Sequence, residues 1–468
     1  MKGDKFAYDF TQGSIIKHLI KFSIPLFLGN ILQTLYNTVD TIWVGKFLGP
    51  NALAAVSVSF PIIFLLISLV MGITMATTVL VGQYKGAKNI DMVKKTINTS
   101  MYLLTISAVI ISIMGIIFHK PILNIMNTPK EIMESASGYL NIILAGLIFT
   151  FAYNAVSAIL RGLGDSRTPL IFLFYTTVIN IILDPIFIFG IGPIPKMGIN
   201  GAALATVIAQ AISFFLAVNY LNKNNHLLSI KLNELGYDKD TTVKIIKIGL
   251  PSGIQQTVVS LGMTAMMSIV NSFGPNIVAA WGAASKIDSF AFLPAMSVGL
   301  ATSSISAQNI GAGKYERVSE LLKWAGILSL IISGSITILI YTLPNILLSI
   351  FTNDINVLVA GTNILKILGF SYIPFGFMWV VNGIIRGAGA TFIPMLISIV
   401  SLWVIRIPLA YFLSFHTLLN SNGIWLAMSI SSIISTLLSY AYYLSGKWKR
   451  SVAVHGLNKG VVEEEVYD

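Results

Sequence analysis

Long apolar runs separated by short polar turns fill the chain almost from end to end. Twelve of these runs are long enough, at roughly 20 residues, for a helix to cross the hydrocarbon of a bilayer. They cover approximately 15–45, 52–82, 96–118, 133–160, 168–190, 199–221, 243–273, 277–309, 322–342, 355–385, 392–414 and 423–445. Lipid offers no partner to a backbone N–H or C=O, so each run is predicted as an α-helix, which satisfies both internally. Several runs exceed the minimum length, which predicts tilted or bent helices, and Pro25, Pro61, Pro251, Pro294 and Pro374 fall inside them.

The polar turns carry the topology. Cytoplasmic loops of membrane proteins are enriched in Lys and Arg. With both termini placed inside, 23 of the 30 Lys and Arg fall in inner segments, and the outer loops hold only Lys46, Lys120, Lys130 and Lys196. One helix more or fewer would scramble that bias. The first apolar run continues through Asp40 with no small-residue cleavage site after it, so it is predicted to be a retained helix and not a secretory signal. The expectation is a multi-pass protein of the cytoplasmic membrane with both termini in the cytoplasm.

A repeat lies over this pattern at one offset of 225 residues. Gly49-Pro50-Asn51 matches Gly274-Pro275-Asn276, Ala54-Ala55 matches Ala279-Ala280, and Gln83 with Gly86-Ala87 matches Gln308 with Gly311-Ala312. Further on, Arg161-Gly162-Leu163-Gly164 matches Arg386-Gly387-Ala388-Gly389, Pro169 matches Pro394, and Gly198-Ile199 matches Gly423-Ile424. Shared apolar composition would not place Gly, Pro, Gln and Arg in one register. Six helices per repeat is an even number, so the second half enters the membrane as the first does, which makes the repeat parallel. The predicted organisation is a six-helix lobe over 1–221, a polar cytoplasmic linker over 222–242, a second six-helix lobe over 243–446 and a cytoplasmic tail over 447–468.

Composition sharpens this picture by exclusion. At 55% hydrophobic, 10% charged and a mean hydropathy of +0.80, the chain is far from the soluble average of about 25% charged. It has no cysteine, which removes disulfides, thiolate catalysis and Cys-bound metal or iron–sulfur groups. The net charge of +11 sits in short turns and forms no continuous stripe, so nucleic acid is not expected as a partner. No cofactor is expected, and nothing in the sequence calls for more than a monomer.

Charges inside bilayer segments are costly and tend to mark ion or substrate paths. Few are present: Asp40 in the first helix, Asp184 in the fifth, Lys286 and Asp288 in the eighth, Lys366 in the tenth and Arg406 in the eleventh. Tyr36 and Asp40 share a helix face at a spacing of four, as do Asn180 and Asp184. Two such faces from one half would supply carboxylates, an amide oxygen and hydroxyls, ligands suited to a hard cation such as Na+ or to a shared proton. Each acid also has a plain structural reading. Asp40 lies near Gly45 and Lys46 and could be a solvated helix end, whereas Asp184 precedes Pro185 and could be a cap or turn residue. Lys286 and Asp288 could pair with each other, pair across the bundle or line a cavity. Arg406, before Pro408, reads as an anchor or snorkelling residue, and Lys366 has no assigned role. Gln33, Tyr36, Tyr153, Asn154, Gln255, Gln256, Met263 and Met267, with Lys286 and Asp288, are the candidates for the wall of a drug-sized cavity. Methionine and tyrosine make the soft walls that promiscuous sites use, although most such residues simply pack helices.

The early stretch Gln33-Thr34-Leu35-Tyr36-Asn37-Thr38-Val39-Asp40, the Gly82-Gln83 to Gly86-Ala87 turn and the duplicated Arg-Gly-x-Gly turns resemble the multidrug and toxic compound extrusion (MATE) family over roughly residues 10–450. The resemblance implies an all-α membrane protein of two six-helix lobes around a central cleft. It also implies alternating access, with export of cationic or amphipathic small molecules coupled to H+ or Na+. Asp40, Asn180 and Asp184 occupy positions matching the family's first-lobe ion-coupling acids and their companion, and Tyr36 and Thr206 look like their neighbours. Some relatives carry a seventh-helix acid. Here Gly249-Leu250-Pro251 is followed by Gln255, Gln256 and Ser260, with no carboxylate until Asp288, so coupling is expected in the first lobe only.

Other functions fit less well. A lipid-linked precursor flippase of the same broader superfamily would need a basic cavity, for which only Lys286, Lys366 and Arg406 are available. A membrane enzyme lacks its motifs: no His-Glu-x-x-His, Gly-x-Ser-x-Gly or Asp-Asp-x-x-Asp pattern occurs, and His18, His119, His226, His416 and His455 are scattered. No Walker A sequence is present either. A channel is disfavoured by a duplicated bundle with half-buried acids.

Overall fold

A computed structural model of the chain describes residues 8–224 and 236–454. It is helical, with twelve helices long and apolar enough to cross a membrane among the described residues. They are α1 (Ile15–Phe47), α2 (Pro50–Gly86), α3 (Ile90–Ile125), α4 (Lys130–Gly162), α5 (Arg167–Phe189) and α6 (Ile199–Asn224) in the first half. The second half has α7 (Lys239–Asn271), α8 (Pro275–Gly311), α9 (Tyr315–Thr342), α10 (Ile355–Gly387), α11 (Phe392–Phe415) and α12 (Asn422–Leu444). A short helix, Pro344–Ser349, precedes α10, and α11 contains a π-helical turn at Val400–Arg406. The expected linker residues 225–235 and tail residues 455–468 lie outside the described residues.

Several helices overrun their apolar runs into polar residues, and α3 and α10 begin at a side-chain cap. Asn89 accepts from the Met92 N–H at 3.1 Å and starts α3 ahead of its apolar run. Asp354 accepts from Asn356 and Val357 N–H groups at the head of α10. Both side chains satisfy donors that the helix leaves orphaned. The Gly82-to-Gly86 stretch is the last turn of α2 and not a separate turn. Large apolar side chains such as Leu65, Ile113, Ile331 and Leu437 are exposed on these helices, a surface that water would not tolerate at this scale but lipid solvates.

By its contacts the chain divides into two compact units. Among the described residues one holds Tyr8, 28–85, 89–224 and 236–250, and the other holds 9–27, 86–88 and 251–454. In the first unit α4 meets α2 at Gly162, where an added Cβ would sit 2.8 Å from the Thr78 carbonyl oxygen. In the second unit the corresponding glycine of α10, Gly387, would meet the Ser303 carbonyl of α8 at 2.7 Å. A Cβ added at Gly383, one helical turn before it, would lie 2.5 Å from the Gly299 carbonyl oxygen. Small residues at one-turn spacing let helix backbones approach closely in lipid, where packing replaces the hydrophobic effect between helices. Gly49 and Gly274, like Gly164 and Gly389, take positive φ in both repeats, the left-handed turns that favour glycine.

The second unit also binds the segment before α1 through its backbone. The Phe10 N–H donates to Gln308 Oε1 at 3.2 Å, and the Phe10 carbonyl accepts from Asn309 Nδ2 at 3.2 Å and an Arg317 nitrogen at 2.9 Å. Lys314 Nζ reaches the Thr11 carbonyl at 2.8 Å. In the first unit, Asp238 caps α7 through the Thr241 N–H at 2.8 Å and pairs with Lys95 at 2.8 Å. The Lys95 ammonium and the Thr241 bonds hold the Asp238 carboxyl down at about 2.

Two outcomes follow from these contacts. Gly387→Val and Gly162→Val should abolish the monodisperse peak of detergent-solubilised protein in size-exclusion chromatography, whereas Gly334→Val, at a position with open space, should keep it; an intact Gly387→Val peak would contradict the packing described. A carboxyl depressed in the fold contributes stability above its unfolded value of about 3.9 and loses it only as pH falls towards the folded one. The melting-temperature deficit of Asp238→Ala should therefore be constant from pH 8 to pH 5, and a deficit that shrinks across that range would refute the pairing.

Candidate ion-coupling site

Asp40 lies seven residues before the end of α1, Asn180 and Asp184 lie in α5, and Thr206 lies in α6. All belong to the first unit. Asp184 is inside a continuous helix that runs through Pro185 and has no exposed surface, so the cap or turn reading does not apply to it. Asp40 is half-buried. The spacing of four puts Asn180 Nδ2 3.2 Å from Asp184 Oδ1, and the same amide lies 3.4 Å from Thr206 Oγ1. Thr206 in turn donates over 3.4 Å to Asp40 Oδ2. The two carboxyls are within hydrogen-bonding reach of each other.

Tyr36 is buried on the turn before Asp40, its hydroxyl beside Thr206 without making a well-formed hydrogen bond. Tyr139 of α4 lies within electrostatic range of both acids. It went unnoticed in the sequence because nothing local marks it: packing of α4, and not spacing along the chain, brings it there.

Donors are scarce. Asp40 Oδ1, Asp184 Oδ2 and Asn180 Oδ1 are buried and lack a hydrogen-bond partner. Among the described residues the Lys95–Asp238 contact is the one ion pair, so no Lys or Arg neutralises either acid. Two like charges this close in a dry site cannot both persist without a cation or proton between them. Three unpaired oxygens around two carboxyls fit a single Na+ or a shared proton. No group of three or more His, Cys, Asp or Glu suited to a metal occurs among the described residues, which leaves a divalent ion short of its usual carboxylates.

The other candidates are dispersed. Gln33 is exposed and 3.4 Å from Asn37 Oδ1. Tyr153 donates to the Pro169 carbonyl at 3.0 Å and Asn154 to that of Thr150 at 2.8 Å. Gln255 is buried in a network, donating to Ser398 at 2.6 Å and accepting from Arg386 at 2.9 Å. Gln256 is half-buried, Met263 is exposed, and Met267 packs against the apolar core of the second unit. Lys286 and Lys366 are exposed, and Asp288 is buried, with its Oδ1 lacking a hydrogen-bond partner. The duplicated bundle with ionisable groups enclosed in its helices defines a multi-pass membrane transporter.

The chain belongs to the MATE family: the family model described as MatE matches residues 25–186 and again 251–412, once in each repeat. It is 36% identical over 443 residues to the probable multidrug resistance protein YoeA of Bacillus subtilis, covering 94% of this chain and 96% of that one. The probable multidrug resistance protein NorM of Thermotoga maritima is 29% identical, covering 93% and 94%. Among solved structures, a crystal structure of MATE in the straight conformation has a TM-score of 0.88 at 25% identity, covering 96% of this chain and 100% of that one. The all-helical twelve-span fold expected from the sequence is thus the observed one.

If the polar chain from Asp40 through Thr206 and Asn180 to Asp184 holds the acids together, Asn180→Leu leaves a buried carboxylate short of a donor, at a cost of about 1–3 kcal/mol. The expected result is a melting temperature lowered by several degrees, largely restored in Asn180→Leu/Asp184→Leu. Equal melting of Asn180→Leu and wild type would show that the link contributes nothing.

Proposed function

We propose that this protein exports cationic or amphipathic small molecules in exchange for H+ or Na+ by alternating access, with Asp40 and Asp184 as the coupling acids. The observation that carries this reading is the pair of carboxyls, Asp184 buried and Asp40 half-buried, with no Lys or Arg paired to either and three nearby oxygens lacking donors. A bound monovalent cation removes one of the two negative charges that the site otherwise carries, so ion binding biases one conformation over another. Asn180 and Thr206 position the acids, and Tyr36 shields them. Accessible Gln33, Gln256, Met263 and Lys286 are proposed as part of the surface that meets the cargo. Both termini are taken to lie in the cytoplasm, from the Lys and Arg bias.

The names of relatives support the cargo class: YoeA and NorM are described as probable multidrug resistance proteins. A 24% identical relative in Shewanella oneidensis is described as an FAD transporter, so cargo varies among relatives. The flippase reading finds less support, because Lys286 and Lys366 are separately exposed and Arg406 is held by Ser431.

Efflux of a fluorescent organic cation from proteoliposomes, with a Na+ gradient and a pH gradient imposed separately, tests the proposal. One gradient should drive efflux, and Asp40→Asn and Asp184→Asn should each reduce it to the level of protein-free vesicles. Ion-driven efflux that survives in Asp40→Asn removes the assigned coupling role; efflux indifferent to both gradients removes antiport.

A further inference from the structure

The last apolar helix ends in a turn held more firmly than a solvated chain end requires. α12 closes at Leu444, Gly446 takes a positive φ of 67°, and Lys447–Ser451 wind into a 3₁₀ turn. Within it Trp448 is only 3% exposed. Its Nε1 donates to the Tyr443 carbonyl at 2.9 Å, and its ring stacks on that of Tyr443 at 5.5 Å with 10° between the planes. Tyr315, the first residue of α9, packs against the same turn: its ring lies 6.2 Å from that of Trp448, and the Lys449 ammonium sits over it, 5.2 Å from the centroid. That last contact is a cation–π pair, which fixes a lysine that would otherwise swing freely. Val452 and Val454, just beyond the turn, are buried.

With the indole turned inward, the cations are left outside. Lys447 and Arg450 are exposed and Lys449 is half-buried. Glu316 and Glu320 of α9 are exposed too, yet no ion pair within 4.0 Å joins them to the turn among the described residues. Other cations of this unit are occupied by protein acceptors: Lys314 and Arg317 by the carbonyls of Thr11 and Phe10, and Arg386 by Gln255. The level of the turn follows from α12. Ile430, Ile433, Leu437 and Leu444 are exposed at spacings of three, four and seven, which makes one lipid-facing stripe that stops three residues before Lys447. Tyr440, Tyr443 and Trp448 stack in succession at its end, an aromatic group of the kind that marks the membrane–water interface. The three cations therefore stand at headgroup level.

We propose that the Lys447–Ser451 turn is a recognition surface for the phosphate of an anionic lipid headgroup. Arg450 brings a planar fork suited to two phosphate oxygens, and Lys447 and Lys449 bring point charges beside it. Because Trp448 pins the turn, these cations lose little further freedom on binding, which separates a built surface from a string of mobile lysines. A lipid fits better than a soluble phosphate, since its chains lie along the Leu437 to Leu444 stripe while its phosphate meets the turn. The inference is independent of the coupling acids of the first unit and of the cargo.

The test titrates the full-length, detergent-solubilised protein with mixed micelles of phosphatidylglycerol, and separately with phosphatidylcholine micelles and with glycerol 3-phosphate, following the melting temperature. Phosphatidylglycerol should raise it to a plateau, and the other two should not. Lys447→Gln/Arg450→Gln should need about tenfold more phosphatidylglycerol for half the rise. Lys17→Gln/Lys21→Gln, which removes the same charge from exposed positions of α1, should titrate as wild type does. Trp448→Ala keeps every cation but frees the turn, and should need several-fold more lipid. Equal weakening by the two charge-removing pairs would show attraction to net charge alone and overturn the proposal. So would a rise with glycerol 3-phosphate as large as that with phosphatidylglycerol, or an unchanged titration in Trp448→Ala. Lys447 and Arg450 are solvent-exposed, so their double variant decides the matter even if Trp448→Ala does not fold.

Discussion

Close contact between glycine and a neighbouring helix's carbonyl is the constraint on which the two units depend. Lipid solvates a leucine as well as a neighbouring helix does, so apolar surface alone cannot decide which helices meet. Gly162 against Thr78 and Gly387 against Ser303 decide it by shape, because no other residue fits at those distances. The consequence extends to chemistry. Fixing α4 also fixes Tyr139 within electrostatic range of the acids of the first unit.

The frame is duplicated, yet its chemistry is not. Positive-φ glycines and glycine–carbonyl contacts recur at one offset, whereas Asp40 and Asp184 correspond to Ala265 and Leu409. Packing positions tolerate few substitutions, so a duplicated gene keeps them. A buried charge, in contrast, is expensive in each copy. The first unit keeps two neighbouring acids with no Lys or Arg paired to them, and the second keeps one buried acid, Asp288, so the two halves carry different electrostatic burdens.

The parts of the fold legible in the sequence were those with a strong one-dimensional signal. Apolar runs gave the twelve helices, and the shared register of Gly, Pro, Gln and Arg gave the repeat. The spacing of four between Asn180 and Asp184 translated directly into a hydrogen bond. Contacts between helices were not legible in this way. Nothing near Tyr139 in sequence points to Asp40, because helix packing sets that distance. Thr206 was approached only through family resemblance. Gln255, placed by sequence on a cavity wall, is bound into the Arg386 and Ser398 network, because a polar residue in an apolar helix satisfies itself locally wherever a partner exists. Helix ends differ from the apolar runs where polar residues continue the helix, as they do behind the Asn89 cap of α3 and at the uncapped start of α9.

The segment ahead of α1 is recognised through its main chain. Gln308, Asn309, Lys314 and Arg317 address the amide of Phe10 and the carbonyls of Phe10 and Thr11. These hydrogen bonds do not read the side chain at position 11, whereas Phe10 is held twice over, by its amide proton and by a fully buried ring packed edge-on to Phe22. Proline there is the change that the second unit cannot accommodate, since it has no N–H to give to Gln308.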